Sequence, residues 1–295
     1  MTATDVNYQN PAGIAAPGAT RGAAAHETVI QPRTGWVPID WRELIEHREL
    51  LYFLVLRDVK VRYKQTVLGV VWTVLPPVLS MVIFTFIIGK MGNMSSDGVP
   101  YPVFVFSGLV PWTFFSNSVS QGSQSLVNQQ ALLTKIYLPR MFIPAGVIGG
   151  ALVDMMISMV VLSVVMMIYG QPAGWGVVAL PCLVLLAVMS AVGVTLALAA
   201  LTVSYRDFRY VIPVMMQAWL FLSPVVYPVT KVPEKFRWIL ALNPMTGVID
   251  GFRSALFAKP WDWATLAISS AVSLGAMVFG LFYFRRTERR FADVA

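Results

Sequence analysis

The sequence predicts an all-α integral membrane protein with six transmembrane helices. Of its 295 residues, 57% are apolar and only 13% are charged, and the mean hydropathy is +0.66. Soluble domains carry about 25% charged residues. The apolar residues also occur in long runs without charge, and about 20 such residues suffice for one helix to cross a bilayer. Lipid is therefore the expected solvent for most of the chain, and a soluble globular protein is excluded.

Before the first apolar run lies a segment with little hydrophobic content. Residues 1–35 are rich in Ala, Gly and Pro and contain few bulky apolar side chains, so they bury too little surface to fold. They also lack the apolar core and small-residue cleavage site of a removable signal peptide. We predict a disordered cytoplasmic arm at 1–35 and a single transmembrane domain at 36–295.

The segment directly before the first span predicts an amphipathic helix in the membrane surface. In residues 50–64 (LLYFLVLRDVKVRYK), helical spacing separates apolar from charged side chains. The predicted apolar face consists of Tyr52, Val55, Leu56, Val59 and Tyr63. The predicted charged face consists of Arg57, Asp58, Lys60 and Lys64. Two functions stay open, namely a positive anchor that fixes topology and a movable gate at the cytoplasmic mouth.

Charge-poor runs predict where the chain crosses the membrane. The six spans are expected at about 67–89, 103–120, 143–169, 177–203, 210–227 and 263–284. The Gln-, Ser- and Asn-rich residues after the second span are expected to extend into solvent. The third and fourth spans are expected to form a hairpin, because Gly and Pro in residues 170–174 supply helix breakers.

The distribution of positive charge predicts that both termini are cytoplasmic. In that orientation 16 of the 22 Lys and Arg residues lie on the cytoplasmic side. Short cytoplasmic loops are enriched in these residues. The expected location is the plasma membrane, which is the inner membrane in a Gram-negative cell.

The segment between the fifth and sixth spans predicts an external re-entrant helical hairpin. Residues 228–262 are mostly apolar, but prolines divide them into pieces at 236–242 and 245–257 that are too short to cross a membrane. Such pieces are stable at membrane depth only where protein or a water-filled cavity surrounds them. The alternative is a loop that lies on the outer leaflet. Asp250 and Arg253 are spaced to pair on one helical face.

One ionisable residue, Asp154, lies well inside a predicted span. An intramembrane carboxylate is costly and indicates function by default, but no second acid, His or Lys lies at comparable depth. A buried structural hydrogen bond is therefore at least as well supported as a proton relay. Gly146 and Gly150 on the same helix are spaced for the close approach of another helix.

Enzyme signatures are missing from the sequence. It contains neither a phosphate-binding G-x-x-x-x-G-K-[ST] motif nor a metal-binding H-E-x-x-H motif. We therefore expect no catalytic residues and no metal site on this chain.

Four blocks of the sequence resemble the membrane permease subunit of ATP-binding-cassette (ABC) exporters for lipid-linked polysaccharides, such as O-antigen, teichoic acid and capsule. The blocks are residues 57–77 (RDVKVRYKQTVLGVVWTVLPP), 135–140 (KIYLPR), 205–228 (YRDFRYVIPVMMQAWLFLSPVVYP) and 242–253 (LNPMTGVIDGFR). They occur in the order expected for the family. The resemblance extends over about residues 41–284.

The resemblance implies a role for each block. It implies a gate helix at 50–64, preceded by an interface helix at 41–49, with the substrate entrance at Arg57, Lys60, Arg62, Tyr63 and Lys64. It implies ATPase-coupling residues in two cytoplasmic loops, namely Lys135, Ile136, Tyr137, Leu138, Pro139, Arg140, Tyr205, Arg206 and Asp207. It implies two re-entrant external helices that include Asn243, Pro244, Asp250 and Arg253.

The resemblance also implies the partners and the transport reaction. Two copies of the chain would form the conduit between them, and two ATPase subunits would bind ATP and Mg²⁺, so that this chain carries no cofactor. The expected substrate is a polyprenyl-linked polysaccharide, with membrane lipids around the complex and no nucleic acid. The basic residues near the gate helix would attract the pyrophosphate or serve only to fix the orientation.

Two other classes of protein stay open as alternatives. A secondary transporter, or a channel for another amphiphilic substrate, would need intramembrane charges or broken helices in both halves. The sequence offers only Asp154 and one external hairpin. A membrane-embedded transferase would need an acid/base or metal cluster near one surface, and residue spacing assembles none.

Overall fold

The computed structural model describes residues 45–64, 69–94, 96–129 and 139–288, and within these ranges the chain is helical without a β-strand. The helices are α1 (Arg48–Lys64), α2 (Val70–Phe84), α3 (Tyr101–Asn128), α4 (Phe142–Ile168), α5 (Leu180–Ser204), α6 (Phe208–Leu222), α7 (Glu234–Ala241), α8 (Pro244–Phe257) and α9 (Trp263–Glu288). The predicted all-α class is confirmed. The predicted arm and residues 41–44 of the predicted interface helix lie outside the described residues.

Within the described ranges, four helical segments are long and apolar enough to cross a membrane. They are Val70–Met91, Phe142–Ile168, Trp175–Ser204 and Trp263–Glu288. The first joins α2 to a π-helical segment, Thr85–Met91, and the third includes a 3-10 turn, Trp175–Ala179, ahead of α5. They coincide with the predicted first, third, fourth and sixth spans. The other two predicted spans correspond to α3 and α6. Helix α3 is more polar than these four segments over the length of a crossing, and α6 is shorter than they are.

Helix α3 lies at the centre of the bundle. It contacts α2, α4, α5, α6 and α8, and most of its residues are buried. The expectation that the polar residues after 120 extend into solvent was wrong, because the helix continues to Asn128 and buries Ser123, Ser125 and Leu126 in this stretch. Small side chains and hydroxyls that bond to their own helix allow this polar stretch to pack. Ser125, for example, donates to the carbonyl oxygen of Gly122 at 2.7 Å.

Helices α5 and α9 form an extensive parallel contact, which runs from Ser190 beside Ser273 to Gly193 beside Gly280. A Cβ atom added at Gly280 would lie 2.1 Å from the carbonyl oxygen of Gly193, so the two backbones touch at this crossing. Nearby, the Ser190 hydroxyl donates to the Ser273 hydroxyl at 2.8 Å. Small residues and interhelical hydroxyl bonds are the usual means by which helices associate in lipid, where the hydrophobic effect offers little preference for protein neighbours.

The predicted turn between the third and fourth spans is present. Helix α4 ends at Ile168, and Gly170 adopts a left-handed conformation with φ of 63°. The Gly170 amide donates to the Met167 carbonyl at 3.1 Å and the Gln171 amide donates to the Met166 carbonyl at 2.9 Å. This is the pair of hydrogen bonds that closes a helix with a glycine cap.

Helix α6 ends earlier than the predicted fifth span. The chain leaves the helix after Leu222, and Ser223 is extended with φ of −100° and ψ of 146°. The cause is Pro224, since a proline disfavours the helical conformation of the residue before it. Helix α6 has 15 residues, or roughly 22 Å of helix, which is shorter than the roughly 30 Å of bilayer hydrocarbon. A buried turn, residues 223–226, follows it, in which the Val225 amide donates to the Ser223 carbonyl at 2.7 Å.

Candidate functional site

Helix α1 lies against α4 over a pair of glycines. A Cβ atom added at Gly146 would lie 3.2 Å from Cβ of Leu54, and one added at Gly149 would lie 2.5 Å from Cγ2 of Val55. The spacing of Gly146 and Gly150 predicted the close approach of a helix, and the structure identifies α1 as that helix, with Gly149 rather than Gly150 in the tighter contact.

The face of α1 that docks on α4 includes only part of the predicted apolar face, namely Val55 and Tyr63. Leu54 is buried, and Asp58 and Arg62, which follow it at intervals of four residues, are half-buried beside Gly150. In contrast, Tyr52 is 62% exposed. Charged side chains occupy the docking face because α3 and α4 supply partners for them.

Asp154 on α4 is the central partner of this docking face. Its carboxylate accepts hydrogen bonds from the guanidinium of Arg62 and from the hydroxyl of Tyr63. Arg62 also donates to Oε1 of Gln121 on α3 at 2.9 Å, and the Tyr63 hydroxyl lies 3.2 Å from Oγ1 of Thr73 on α2. The cluster therefore links four helices. This geometry agrees with the structural interpretation of Asp154 rather than with a proton relay.

The other basic residues of α1 border an open groove of about 410 Å³. The groove is lined by Phe53, Leu56, Arg57, Lys60, Val61 and Lys64. Arg57 is held by Asp58 at 2.8 Å and by Gln129 beyond α3 at 2.8 Å, whereas Lys60 and Lys64 are exposed. The combination of apolar side chains with three cations suits a lipid that carries phosphate. We call this feature the cationic groove.

Helices α7 and α8 occupy the positions of the two predicted short helices between the fifth and sixth spans. Helix α8 is buried along almost its whole length. Asn243 caps it, because its side-chain oxygen accepts from the Met245 amide at 3.0 Å, and Pro244 occupies the first turn. The Asn243 side-chain amide also donates to the Ser223 hydroxyl at 2.8 Å, which ties the start of α8 to the end of α6.

Arg253 on α8 satisfies the backbone at the break after α6. Its guanidinium donates to the carbonyl oxygens of Pro224 at 2.6 Å and Val225 at 2.7 Å, and it lies 3.6 Å from the ring centre of Phe104. The expected pair with Asp250 is not formed, since no ion pair joins these residues in the described part of the chain. Arg253 bonds these carbonyls instead of Asp250 because a helix that ends in the protein interior leaves carbonyl acceptors that need a donor.

A second cavity, of about 460 Å³, lies beside α7 and α8 and is lined by charged residues from both helices and their flanking loops. Lys259 lies 3.8 Å from Asp97, and burial lowers the pKa of this lysine. Burial acts to raise the pKa of Asp262, but hydrogen bonds from the Thr265 amide at 3.0 Å and the Thr265 hydroxyl at 2.7 Å lower it overall. The cavity wall therefore disfavours the charged form of Lys259 and favours the charged form of Asp262.

The sequence profile of the ABC-2 type transporter family matches residues 49–257, from the first turn of α1 to the end of α8. The chain belongs to this family. As a member, it is a membrane subunit of a transporter with several membrane-embedded helices, and the resemblance that the four sequence blocks suggested is confirmed.

Three of its relatives match most of this chain and nearly all of their own length. The O-antigen export system permease protein RfbA of Myxococcus xanthus is 31% identical over 255 residues, which cover 85% of this chain and 97% of that protein. The RfbA protein of Klebsiella pneumoniae is 26% identical over 250 residues, covering 83% and 95%. The polysialic acid transport protein KpsM of Escherichia coli is 25% identical over 240 residues, covering 80% and 92%.

The first predicted coupling loop of the permease is described only at its end. Four of its residues lie outside the described ranges, namely Lys135, Ile136, Tyr137 and Leu138. Pro139 and Arg140 come directly before α4, and Arg140 donates to the carbonyl oxygen of Glu288 in the last turn of α9 at 2.8 Å. The loop is thus joined to two membrane helices.

The second predicted coupling loop is a tight turn between α5 and α6. Tyr205, Arg206 and Asp207 form this turn, and all three are exposed. The turn lies at the same end of the bundle as Arg140, because α4 and α5 form a hairpin.

Two features of the permease were not predicted from the sequence. One is the pair of Arg62 with Asp154, and the other is a row of amides at the end of α3. Gln121, Gln124 and Asn128 recur at intervals of three and four residues, and this spacing in a membrane protein was the available signal. Among the described residues, no group of three or more His, Cys, Asp and Glu side chains is arranged to hold a metal ion.

Proposed function

We propose that this permease is the membrane-spanning subunit of an ATP-driven exporter, which moves a lipid-linked polysaccharide out of the cytoplasm. The observation that carries the proposal is the 31% identity with an O-antigen export permease over 97% of that protein. A polysialic acid transport protein matches over 80% of this chain. The names of both relatives refer to polysaccharide or its export, so an O-antigen-like glycan on a polyprenyl carrier is the proposed substrate.

The proposed topology has six crossings with both termini in the cytoplasm. Helices α2, α4, α5 and α9 belong to the four segments of sufficient length and apolarity. Helix α3 adds a crossing because its polar side chains pack against protein instead of lipid. Helix α6, with the buried turn that follows it, adds the last crossing. In this proposal residues 1–35 form a cytoplasmic arm and residues 36–295 a single domain in the plasma or inner membrane.

Helices α7 and α8 form the re-entrant hairpin on the external side in this proposal. Irregular backbone is tolerated at membrane depth only where protein or water satisfies its polar groups. The segment after α6 meets this condition, because Arg253 bonds two of its carbonyls and the Tyr101 hydroxyl donates to the Val226 carbonyl at 2.7 Å.

An ATP-binding subunit is the proposed source of energy and binds ATP with Mg²⁺, while this chain contributes no cofactor and no catalytic residue. The partner docks on residues 135–140 and 205–207. The bond from Arg140 to α9 supports this assignment, since a force on the loop reaches both α4 and α9. The 205–207 turn transmits the same force to α5 and α6.

A second copy of the chain completes the proposed conduit. Helix α2 buries only Pro77, and α6 buries only Ile212 and Met216. Their exposed apolar residues include Trp72, Leu79, Val82, Ile83, Tyr210 and Val214. Lipid covers part of this surface and the second copy covers the rest.

The proposed substrate entrance lies along α1. Arg57, Lys60 and Lys64 in the cationic groove attract the pyrophosphate of the carrier lipid, and the apolar wall accommodates the first part of its prenyl chain. Movement of α1 away from α4 then opens a lateral path for the glycan. Arg62 and Tyr63 act as the contact that this movement breaks.

The partner assignment is tested by co-purification with the candidate ATPase and by its ATP hydrolysis rate in lipid nanodiscs. We expect a stable complex with a hydrolysis rate that differs from that of the ATPase alone. Replacement of residues 135–140 by Gly and Ser should abolish both effects, whereas the same replacement in the 170–174 turn should leave both intact. Unchanged association and hydrolysis after the first replacement would show the docking assignment to be wrong.

A further inference from the structure

A polar cavity of about 370 Å³ lies between α1 and the C-terminal end of α3. Sites for small molecules usually measure about 300–1,000 Å³. Amide and hydroxyl side chains line the α3 side, namely Ser120, Gln121, Gln124, Ser125, Asn128 and Gln129. Asp58, Val61 and Arg62 of α1 line the opposite side. We call this feature the amide cavity.

Two of the amides are fixed and two are available. Gln121 accepts from Arg62 at 2.9 Å, and Gln129 accepts from Arg57 at 2.8 Å. Within the described ranges, the side chains of Gln124 and Asn128 have no hydrogen-bond partner. They lie four residues apart on one face of α3, with Gln124 half-buried and Asn128 exposed. The fixed amides shape the cavity, and the available ones can bond a ligand.

The lining favours a neutral ligand rich in hydroxyl groups. An amide side chain both donates and accepts hydrogen bonds, as a sugar hydroxyl does. The two charged residues in the lining already have partners, because Asp58 pairs with Arg57 and Arg62 pairs with Asp154. Little net charge is left to select an ion.

The amide cavity and the cationic groove meet at α1. Val61 lines both of them, and Arg57 joins the two, since it lines the groove and bonds Gln129 of the cavity. A phosphate in the groove would therefore place the group attached to it next to the amides.

We propose that the amide cavity binds the first sugars after the pyrophosphate of the lipid-linked glycan. The proposal rests on the proposed function and makes Gln124 and Asn128 specificity-determining residues. The cationic groove recognises the carrier lipid, whatever it bears, and the amide cavity recognises that a sugar is attached. An unloaded carrier lipid is thereby distinguished from a loaded one before transport begins.

The test measures the affinity of the full permease, in complex with its ATPase in nanodiscs, for two lipids. One is polyprenyl pyrophosphate and the other is the same lipid with a disaccharide attached. The wild type should bind the disaccharide lipid about tenfold more tightly, which corresponds to one or two additional hydrogen bonds. Gln124→Met, which keeps the side-chain volume, should remove this preference and leave the affinity for the bare lipid unchanged. Asn128→Leu, at an exposed position, should act in the same way.

Two controls separate the possible causes. Lys60→Gln should lower the affinity for both lipids equally, because it removes a charge from the cationic groove. Gln171→Leu, in the turn at the other end of α4, should change neither affinity.

The outcomes distinguish this proposal from the proposed function. If both α3 variants keep the wild-type preference, or lower the two affinities equally, the amide cavity is not a sugar site. A wild type that binds both lipids with equal affinity also excludes a sugar site there, while leaving the exporter assignment standing. A wild type that binds neither lipid overturns the proposed function together with this inference.

Discussion

Asp154 and Arg253 are the ionisable residues that are buried in the described part of the chain. Asp154 holds the docking face of α1 through Arg62 and Tyr63, whereas Arg253 satisfies carbonyls at the end of α6. Removing one partner from a buried charged contact leaves the other unsatisfied, which is costly. Both residues are therefore expected to contribute more to stability than the exposed ion pairs of this protein.

Asp154→Asn should loosen α1 from the bundle. The variant replaces the charged partner of Arg62 at this contact by a neutral amide, and because Arg62 retains 24% side-chain exposure the loss is smaller than for a fully buried pair. We expect the hydrogen-exchange rate of the α1 amides to rise roughly tenfold, which corresponds to a decrease of about 1.4 kcal/mol in the free energy of local opening. Glu234→Gln, which alters an exposed pair with Arg237 at 3.9 Å, is the matched control and should have no effect on α1. Equal protection of α1 in both variants would contradict the role of Asp154.

Arg253→Met should destabilise the α7–α8 hairpin. The substitution keeps an apolar stem but leaves the Pro224 and Val225 carbonyls buried without a donor, at a cost of about 1–3 kcal/mol for each group. Thermal unfolding in nanodiscs measures the loss. Arg237→Met is the control, because Arg237 also donates to a backbone carbonyl, that of Val232 at 3.1 Å, but is partly exposed. A decrease in melting temperature no larger than that of the control would show that the carbonyls have another donor.

The sequence identified Asp154 as unusual but did not identify its partner. Arg62 is 92 residues away from Asp154, and helical spacing placed Asp58, one turn before Arg62, on the predicted charged face. Spacing along one helix carries no information about which face meets another helix when both faces contain apolar residues. Arg253 was assigned to Asp250 for a similar reason, since neighbours along the helix are visible in a sequence and distant carbonyls are not.

At the scale of elements, the glycine contact between α1 and α4 determines how closely the proposed gate helix packs. Gly149→Ala should push the helices apart, because its Cβ would lie 2.5 Å from Cγ2 of Val55 and a β-branched side chain has few other rotamers. We expect a loss of about 1–3 kcal/mol, the usual cost of overpacking, measured by thermal unfolding. Adding Val55→Ala to the Gly149→Ala variant should restore most of the lost stability.

Gly275→Ala provides the control for this prediction. No atom lies within 4 Å of the added Cβ on α9, so the substitution should be neutral or slightly stabilising in a helix. If Gly149→Ala behaves like Gly275→Ala, or if Val55→Ala fails to restore stability, the close packing of α1 on α4 is wrong.

Charge-free runs located most of the membrane helices because a long apolar helix has few other stable environments. They misjudged α3, whose polar end is buried by neighbouring helices that a composition count does not include. They also placed the end of α6 too late, although Pro224 in the sequence was a sufficient signal. Local chemistry thus predicted the elements, whereas the contacts between elements required the structure.

At the scale of the whole molecule, cysteine labelling tests the proposed topology. In a Cys182→Ser background, Gln171→Cys and Glu234→Cys should react with an impermeant maleimide in intact spheroplasts. Arg206→Cys should react only after permeabilisation, since it lies in the proposed cytoplasmic turn. The reverse pattern would invert the orientation, and protection of residue 234 alone would contradict the external position of α7.

The central claim is that this permease moves a lipid-linked glycan only with a nucleotide-hydrolysing partner. The most direct measurement is glycan appearance on the opposite face of proteoliposomes, detected by an added glycosidase that cannot cross the membrane. We predict cleavage when the permease, its ATPase and ATP with Mg²⁺ are all present, and background cleavage when any one is omitted. Transfer by the permease alone, or an absence of transfer by the complete complex, would contradict the account.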